Sequence, residues 1–228
     1  MSEPGEMPKI AAIARPDLGV VTNIGVSHIE NLGSRENICA EKMHMTDFFG
    51  PENLMILNGD DDLLPSYKDN GRFRTVFYGQ KGDNAYRAEN IRVENGRTYF
   101  TVITQNYTMD MSLAIPGVHN VMNALAALAV ADACGVDAKA AAQALSEFHG
   151  FARRLQIFEK GDYTYVDDTY NASPDSMKAA LQVLSTTPTQ GRRIAVLADM
   201  LELGPNAPQY HYETGVYGTT QKIDQVFI

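Results

Sequence analysis

Three polar segments of the chain carry residue types that could bind a charged ligand. The first, NIGVSHIENLGSRENICAEK, contains Asn23, His28 and Lys42. The apolar run over residues 17–25 predicts a strand, which would deliver Asn23 and His28 to the carboxyl end of a sheet, where ligands bind in open α/β folds. Lys42 falls within the helix predicted to follow, for which Ser34 is the expected N-cap and Pro51 the expected end. An ordinary loop histidine and a solvated lysine would explain the same pattern.

The second segment, GVHNVMNALAALA, places His119 and Asn120 at the predicted start of a helix, directly after Pro116 and Gly117. The first N–H groups of a helix have no partner within the helix and create positive potential, which suits phosphate or another polar ligand group. Asn120 could instead be a simple helix N-cap. The pattern therefore indicates either an anion-binding site or a capping residue.

The third segment, VDDTYNASPDSMKAAL, begins at Val166 and runs from a strand ending in two aspartates, through a polar turn, into a helix. Pro174 stands where proline is favoured, at the first position of that helix. This strand-to-helix junction is typical of a ligand site, although capping of the helix by Ser173 or Asn171 would also account for it.

Several common catalytic motifs are missing from the sequence. It contains no G-x-x-x-x-G-K-[ST] phosphate loop. It also contains no G-x-S-x-G nucleophile elbow, no H-E-x-x-H zinc motif and no EF-hand loop. The simplest enzyme classes are therefore excluded for these 228 residues taken alone.

Composition narrows the class of protein further. The chain has 228 residues, 44% of them hydrophobic, and a formal net charge of −9, which argues against a dedicated nucleic-acid partner. Its start shows no basic and then apolar pattern of a signal peptide, and no apolar run approaches the roughly 20 residues that span a bilayer. We expect a cytoplasmic protein with no membrane insertion, in which Cys39 and Cys134 are reduced thiols packed as small hydrophobes.

The elements that would position these residues form two groups. Strand and helix patterns alternate up to about Gly150 and include a buried strand that begins at Leu54. Asn95-Gly96 predicts a hairpin within a small antiparallel sheet. After Gly150 the pattern restarts with a hairpin at Lys160-Gly161 and continues as helix, strand, helix and strand, which predicts a second parallel α/β unit. We therefore expect an α/β protein with one domain over residues 1–150 and another over 151–228.

Taken in order, the segments resemble the Mur ligases, which build the stem peptide of peptidoglycan. The similarity covers essentially the whole chain and includes NIGVSHIENLGSRENICAEK, LNGDD, GVHNVMNALAALA, RLQIF, DDTYNASPDSMKAAL, VLADMLELG and YHYETG. Within the family, YNASPDSMKAAL and DMLELG resemble the branch that adds D-alanyl-D-alanine. The resemblance implies that residues 1–150 belong to a central ATP-binding domain and residues 151–228 to a Rossmann-like C-terminal domain.

The resemblance also implies a reaction. In the family, a substrate carboxylate attacks the γ-phosphoryl group of ATP, and an incoming amine then attacks the acyl phosphate, with Mg²⁺ neutralising phosphate charge. We expect the substrates to be UDP-N-acetylmuramoyl-tripeptide and D-alanyl-D-alanine. Another Mur ligase, a folylpolyglutamate synthetase-like ligase, or a non-catalytic binding module on the same scaffold remain alternatives.

Roles pass to individual positions through the same resemblance. His28 matches the metal-site histidine, and Lys42 matches a lysine that is carbamylated in relatives, so both are expected to be catalytic and to bind the metal. The expected nucleotide-binding residues are His119, Asn120, Arg154 and Asp168. The expected substrate-binding residues are Tyr170, Asn171 and Asn23.

The resemblance also predicts what these residues lack. The family's phosphate-binding loop, its UDP-sugar-binding domain and a metal-binding glutamate would all precede Met1, and the last sheet would continue beyond Ile228. We therefore expect the 228-residue chain by itself to bind ATP weakly and to catalyse nothing.

Overall fold

The structure, a computed structural model, describes residues 1–94 and 96–228. Its first part is a six-stranded sheet with helices on both faces, in the strand order β1-β2-β3-β4-β5-β6. The strands are β1 (Leu18–Val21), β2 (Leu54–Asn58), β3 (Arg74–Gly79), β4 (Tyr86–Glu94), β5 (Arg97–Ile103) and β6 (Thr108–Leu113). The helices are α1 (Glu6–Ala14), α2 (Ile29–Leu32), α3 (Arg35–Met43), α4 (Val118–Ala133) and α5 (Ala138–Ser146).

The sheet is parallel from β1 to β4 and antiparallel from β4 to β6. The predicted combination of a mostly parallel sheet and a small antiparallel one is confirmed, but the two are continuous. β4 joins them, because Tyr86 pairs with Tyr78 on its parallel side while the rest of the strand pairs with β5. Of the predicted Asn95-Gly96 turn, Asn95 lies outside the described residues, and Glu94 pairs with Arg97 across it.

Strand β2 shows why the parallel part is apolar throughout. Leu54 and Ile56 pack with the α4 residues on one face, whereas Met55 and Leu57 pack with the α3 residues on the other. Successive side chains of a strand point to opposite faces, so a strand covered on both sides needs a continuous apolar run. In β5, by contrast, burial alternates along the strand, as expected where one face of the sheet meets the solvent.

Helix α3 begins as predicted and ends earlier. The side chain of Ser34 accepts a hydrogen bond from the backbone N–H of Asn37, which confirms Ser34 as the N-cap. The helix ends at Met43 and not near Pro51, and a short 3₁₀ turn follows over His44–Thr46. There the hydroxyl of Thr46 donates to the carbonyl of Met43 at 2.8 Å and satisfies one of the last carbonyls of the helix.

The second part of the chain contains two small sheets and two helices. Its elements are β7 (Gln156–Lys160), β8 (Tyr163–Asp167), α6 (Pro174–Thr186), β9 (Ile194–Val196), α7 (Ala207–Thr219) and β10 (Gln225–Phe227). β9 and β10 pair in parallel, as the strand-helix-strand alternation predicts. β7 and β8 form an antiparallel hairpin that is a separate sheet.

The two cysteines differ in their surroundings. Cys39 is buried beside Ile38 and Met43, as predicted for a small apolar side chain. Cys134 is exposed, so the prediction that it packs in the interior was wrong. The reason is its position at the carboxyl end of α4, where the chain turns outward into Gly135 with a φ of 75°. None of the helices among the described residues has the length and apolar character to cross a membrane.

Candidate active site

His28 and Lys42 line one cavity of about 360 Å³ beside the carboxyl end of β1. Its other lining residues come from the start of the chain, β1 and the loop after it, and the turn after α3: Met1, Met7, Val20, Val21, Thr22, Ser27 and Met45. The two residues are brought together because His28 lies in the loop that follows β1, while Lys42, in the last turn of α3, donates a hydrogen bond to that same loop. The cavity therefore joins the two residues that the sequence singled out first.

The loop after β1 is held in place by polar side chains from neighbouring elements. The amide of Asn58 donates to the carbonyl of Thr22 at 3.0 Å, and the backbone N–H of Ile24 donates to Asp61 at 2.9 Å. Arg35 donates two hydrogen bonds to the carbonyl of Ile24, at 3.0 and 2.8 Å. Every one of these bonds involves a backbone atom of the loop after β1, so together they hold this loop in place beside the cavity.

Lys42 is hydrogen-bonded to the loop after β1. Its Nζ donates to the carbonyl of Asn23 at 2.9 Å. Burial lowers the pKa of Lys42, and the negative charge of Asp61 opposes that shift. At a given pH, a larger fraction of the Lys42 amine is therefore neutral than for a solvated lysine. Asn23 contributes its main chain here, while the residue as a whole is exposed.

His28 is held by a residue from the other part of the chain. It adopts a left-handed backbone conformation with a φ of 66° at the start of α2, and its Nδ1 contacts the Oε2 atom of Glu202. Sequence reasoning missed Glu202, although the segment DMLELG that contains it was singled out for its resemblance to the family. The missing information was the partner, since 174 positions separate the two residues.

The same loop seats the second part of the chain on the first. Val26 packs against buried Met200 and Leu203, and the backbone N–H of Glu30 donates to the carbonyl of Glu202 at 3.2 Å. One apolar and one polar contact thus place the turn after β9 next to the cavity.

The side chains at this site fit Mg²⁺ only after a chemical change. No group of three His, Cys, Asp or Glu side chains within residues 1–94 and 96–228 is arranged to hold a metal ion. Mg²⁺ prefers oxygen ligands, whereas His28 and unmodified Lys42 offer a nitrogen ligand and a cation. Carbamylation of Lys42 would replace the cation by an anion with two hard oxygens, and that donor set fits the ion.

His119 and Asn120 occupy the first turn of α4. The N-cap of α4 is Gly117, which has a φ of 108°, so Asn120 is not the N-cap of this helix. The side-chain amide of Asn120 donates to the carbonyl of Pro116 at 2.7 Å, which closes the turn that leads into the helix. Burial lowers the pKa of His119 and favours its neutral imidazole.

Arg154, Asp168 and Tyr170 come together where two loops of the second part meet. Asp168 accepts a hydrogen bond from the backbone N–H of Leu155 at 3.0 Å, and burial raises the pKa of its carboxyl group. The guanidinium of Arg154 stacks on the Tyr170 ring. Arg153 is used differently, because its guanidinium donates to Thr169 at 3.2 and 3.3 Å.

Asn171 lies at the exposed end of this cluster, where its Oδ1 atom accepts from the N–H of Ala172 at 2.9 Å. The cap of α6 is Ser173, which forms a capping box with Ser176. Across the described part of the chain, no hydrogen bond or ion pair joins His119 or Asn120 to the Arg154 cluster or to the cavity. The predicted residues therefore form three groups.

Comparison with known protein families gives two matches along the chain. The model of the Mur ligase middle domain matches residues 1–131. The model described as Mur ligase, glutamate ligase domain, matches residues 153–228.

Individual relatives match over the whole chain. The UDP-N-acetylmuramoyl-tripeptide–D-alanyl-D-alanine ligase of Bacillus subtilis is 36% identical over 228 residues, which are 100% of this chain and 49% of that protein. The structure of MurF from Acinetobacter baumannii has a TM-score of 0.91 at 28% identity, covering 99% of this chain and 49% of that one. The MurF ligase from Thermotoga maritima, in complex with ADP, has a TM-score of 0.85 at 25% identity, with coverages of 99% and 56%. The chain spans about half the length of the curated relatives it matches.

Proposed function

The chain belongs to the Mur ligase family, and from this premise we propose that it is part of a ligase that joins D-alanyl-D-alanine to UDP-N-acetylmuramoyl-tripeptide at the expense of ATP. The observation that carries the proposal is the similarity to the Bacillus subtilis ligase, which extends over all 228 residues. The stacked pair Arg154 and Tyr170 and the cavity at His28 and Lys42 supply residues for ATP and for the two peptide substrates. We assign the reaction to the cytoplasm, where ATP and UDP-linked precursors are made.

The reaction requires two anions to be held together. The tripeptide carboxylate attacks the γ-phosphoryl group of ATP, which forms an acyl phosphate and releases ADP, and the amine of the dipeptide then attacks the acyl carbon and displaces phosphate. Positioning and charge stabilisation supply most of the catalysis in phosphoryl transfer. In a chain with a net charge of −9, local cations and polar groups must do this, since the overall potential repels anionic substrates.

We assign the cavity to the phosphoryl-transfer step. His28 and carbamylated Lys42 would hold Mg²⁺, which when bound neutralises phosphate charge. The half-buried position of Lys42 supports the assignment, because carbon dioxide reacts with a neutral amine and burial lowers the pKa of the amine. The hydrogen bond to Asn23 keeps the Lys42 side chain at the cavity.

The other residues are assigned to the rest of the nucleotide and to the two peptide substrates. We assign His119 and Asn120, at the start of α4, to the nucleotide base. Arg154 is suited to phosphate or ribose oxygens because its guanidinium has no hydrogen-bond or ion-pair partner in the described residues, and Asp168 lies beside it. We assign Tyr170, Asn171 and Asn23 to the incoming dipeptide and its acceptor, and we place the boundary between the two domains near Gly150.

The test is amine-dependent phosphate release by the complete gene product that contains this sequence. With ATP, Mg²⁺ and UDP-N-acetylmuramoyl-tripeptide present, D-alanyl-D-alanine should stimulate release, whereas meso-diaminopimelate, lysine and glutamate should not. Lys42→Ala should abolish the stimulation, and Lys9→Ala, a substitution on exposed helix α1, should leave it unchanged. Stimulation by one of the other amines would assign the protein to a sister ligase or a folylpolyglutamate synthetase. No stimulation by any amine would identify a binding module.

A further inference from the structure

We propose that Glu202 is a positioning residue that fixes the tautomer of His28 across the interface between the two parts of the chain. In this arrangement Nδ1 of His28 carries the hydrogen, and Nε2 is the atom left to bind a ligand in the cavity. The inference rests on the proposed role of His28 in metal binding, and it adds a residue from the second part of the chain to that site.

The tautomer follows from hydrogen-bond chemistry. Nδ1 of His28 contacts Oε2 of Glu202, and an ionised carboxylate can only accept hydrogen bonds. In the neutral imidazole the hydrogen between the two atoms is therefore on Nδ1, and the lone pair is on Nε2. Histidines that bind metals commonly donate their second ring N–H to a carboxylate in this way, which orients the ring and makes it a better ligand.

Backbone contacts bring the two side chains together independently of their charges. His28 and Glu202 both have left-handed backbones, with φ values of 66° and 60°. The carbonyl of Glu202 accepts from the N–H of Glu30 at 3.2 Å, and a β-carbon added at Gly204 would lie 3.3 Å from the Cα of Glu30. The turn after β9 is thus seated closely on the start of α2.

Apolar packing holds the same interface. Met200 is 3% exposed and Leu203 is 2% exposed, and both pack with Val26 from the loop that leads to His28. Glu202 lies between these two buried residues in the sequence, so their packing brings it close to His28. Packing of the second part of the chain against the first therefore also places the Glu202 carboxylate at Nδ1 of His28.

The experiment is nuclear magnetic resonance of the imidazole nitrogens of the 228-residue chain, with the His28 signals assigned through His28→Gln. In the wild type, long-range correlations should show the hydrogen on Nδ1. Glu202→Ala removes the carboxylate and keeps the backbone bond to Glu30, so His28 should shift towards the Nε2–H tautomer that free histidine prefers. Glu202→Gln should retain the Nδ1–H form, because its amide oxygen still accepts.

His211 provides an internal standard in the same spectrum. Its Nε2 accepts from the backbone N–H of Met200 at 3.0 Å and its Nδ1 lies 2.8 Å from the carbonyl of Ala207, so it must carry the hydrogen on Nδ1. Its signals should not change in any variant that keeps the interface folded. Glu213→Ala, which removes an exposed carboxylate on α7, is the matched control for loss of charge.

Metal affinity gives a second readout. Loss of such a supporting hydrogen bond typically weakens metal binding by about 10–100-fold, so Glu202→Ala should weaken Mn²⁺ binding by that factor while Glu202→Gln and Glu213→Ala do not. The proposal is overturned if the wild-type hydrogen is on Nε2, or if Glu202→Ala leaves the tautomer unchanged. Failure of the complete protein to release phosphate would overturn the proposed function and leave the tautomer result standing.

Discussion

The guanidinium carbon of Arg154 lies 3.8 Å from the centroid of the Tyr170 ring. The two residues come from loops on either side of the β7–β8 hairpin, and the backbone bond from the N–H of Tyr170 to the carbonyl of Arg153 holds those loops together at 3.1 Å. An arginine stacked on an aromatic ring is oriented without using its five N–H donors. Arg154 therefore presents an ordered cation to a ligand.

Replacement of Arg154 should weaken nucleotide binding by the complete gene product. Loss of a charged hydrogen-bond donor costs about 1.5–3 kcal/mol, roughly 10–150-fold in affinity, and we expect this for Arg154→Ala with Mg·ATP in calorimetry. Arg154→Lys keeps the charge and loses the stacking plane, so its effect should be smaller. Arg92→Ala is the matched control, because Arg92 lies 5.0 Å from the centroid of Tyr99 on the antiparallel strands. Equal losses for Arg154→Ala and Arg92→Ala would contradict the assignment.

Lys42 should form a carbamate that other lysines do not. In ¹³C-bicarbonate, the wild-type chain should show a carbamate carbon signal that increases with pH, because the neutral amine reacts and burial lowers the pKa of Lys42. Addition of Mg²⁺ should strengthen the signal. The signal should vanish in Lys42→Arg and persist in Lys222→Arg, a control near the end of the chain. A signal that survives Lys42→Arg would place the modification elsewhere.

His119 should make the chain less stable in acid. Its pKa is lower in the folded chain than the ordinary value of 6.5, so between those two values the unfolded state binds more protons. The free energy of unfolding therefore falls as the pH drops from about 6.5 through the folded pKa. Urea titrations from about pH 8 to pH 5 should show a shallower decline for His119→Gln, which cannot be protonated. His44→Gln, at an exposed position, is the control, and parallel profiles for wild type and His119→Gln would refute this origin.

Gly117 should not tolerate a side chain. Its φ of 108° disfavours any other residue, and an added β-carbon would lie 2.5 Å from Cε1 of His119. Gly117→Ala should destabilise the chain by about 1–3 kcal/mol from backbone strain alone, with a further loss as the imidazole is displaced. Gly135→Ala, at the other end of α4, separates the two terms, because Gly135 has a φ of 75° with nothing within 4 Å of the added atom. The free energy of unfolding of both variants is measured by chemical denaturation. An equal loss of stability in the two would show that displacing the His119 ring costs no free energy.

Local patterns were sufficient for most elements. The apolar run of β2 predicted a strand covered on both faces, and Ser34 marked the start of α3, because burial and capping leave direct traces in neighbouring residues. The end of α3 was predicted too late, because the sequence pattern continues through His44–Thr46. In the structure these residues form a separate 3₁₀ turn, in which the hydroxyl of Thr46 donates to the carbonyl of Met43.

The chemistry of individual residues was also visible in the sequence, but the partners of those residues were not. His28 and Lys42 could be named from their segment, whereas Arg154 and Asp168 were named through the resemblance to the Mur ligases. The contact between His28 and Glu202 depends on how two distant parts of the chain dock, and no local pattern encodes a partner 174 positions away. The exposure of Cys134 likewise depended on where α4 ends against its neighbours.

By itself, then, the sequence determined the α/β class and the residue types available for catalysis, because these depend on periodicity and on side-chain chemistry, and the resemblance of its segments to known motifs indicated the family. The tertiary structure decided which of those residues share a cavity and which ring nitrogen of His28 carries its hydrogen. It also decided that Lys42 is half-buried, which lowers the pKa of its amine. These properties arise from distances and desolvation, which exist only once the chain has folded.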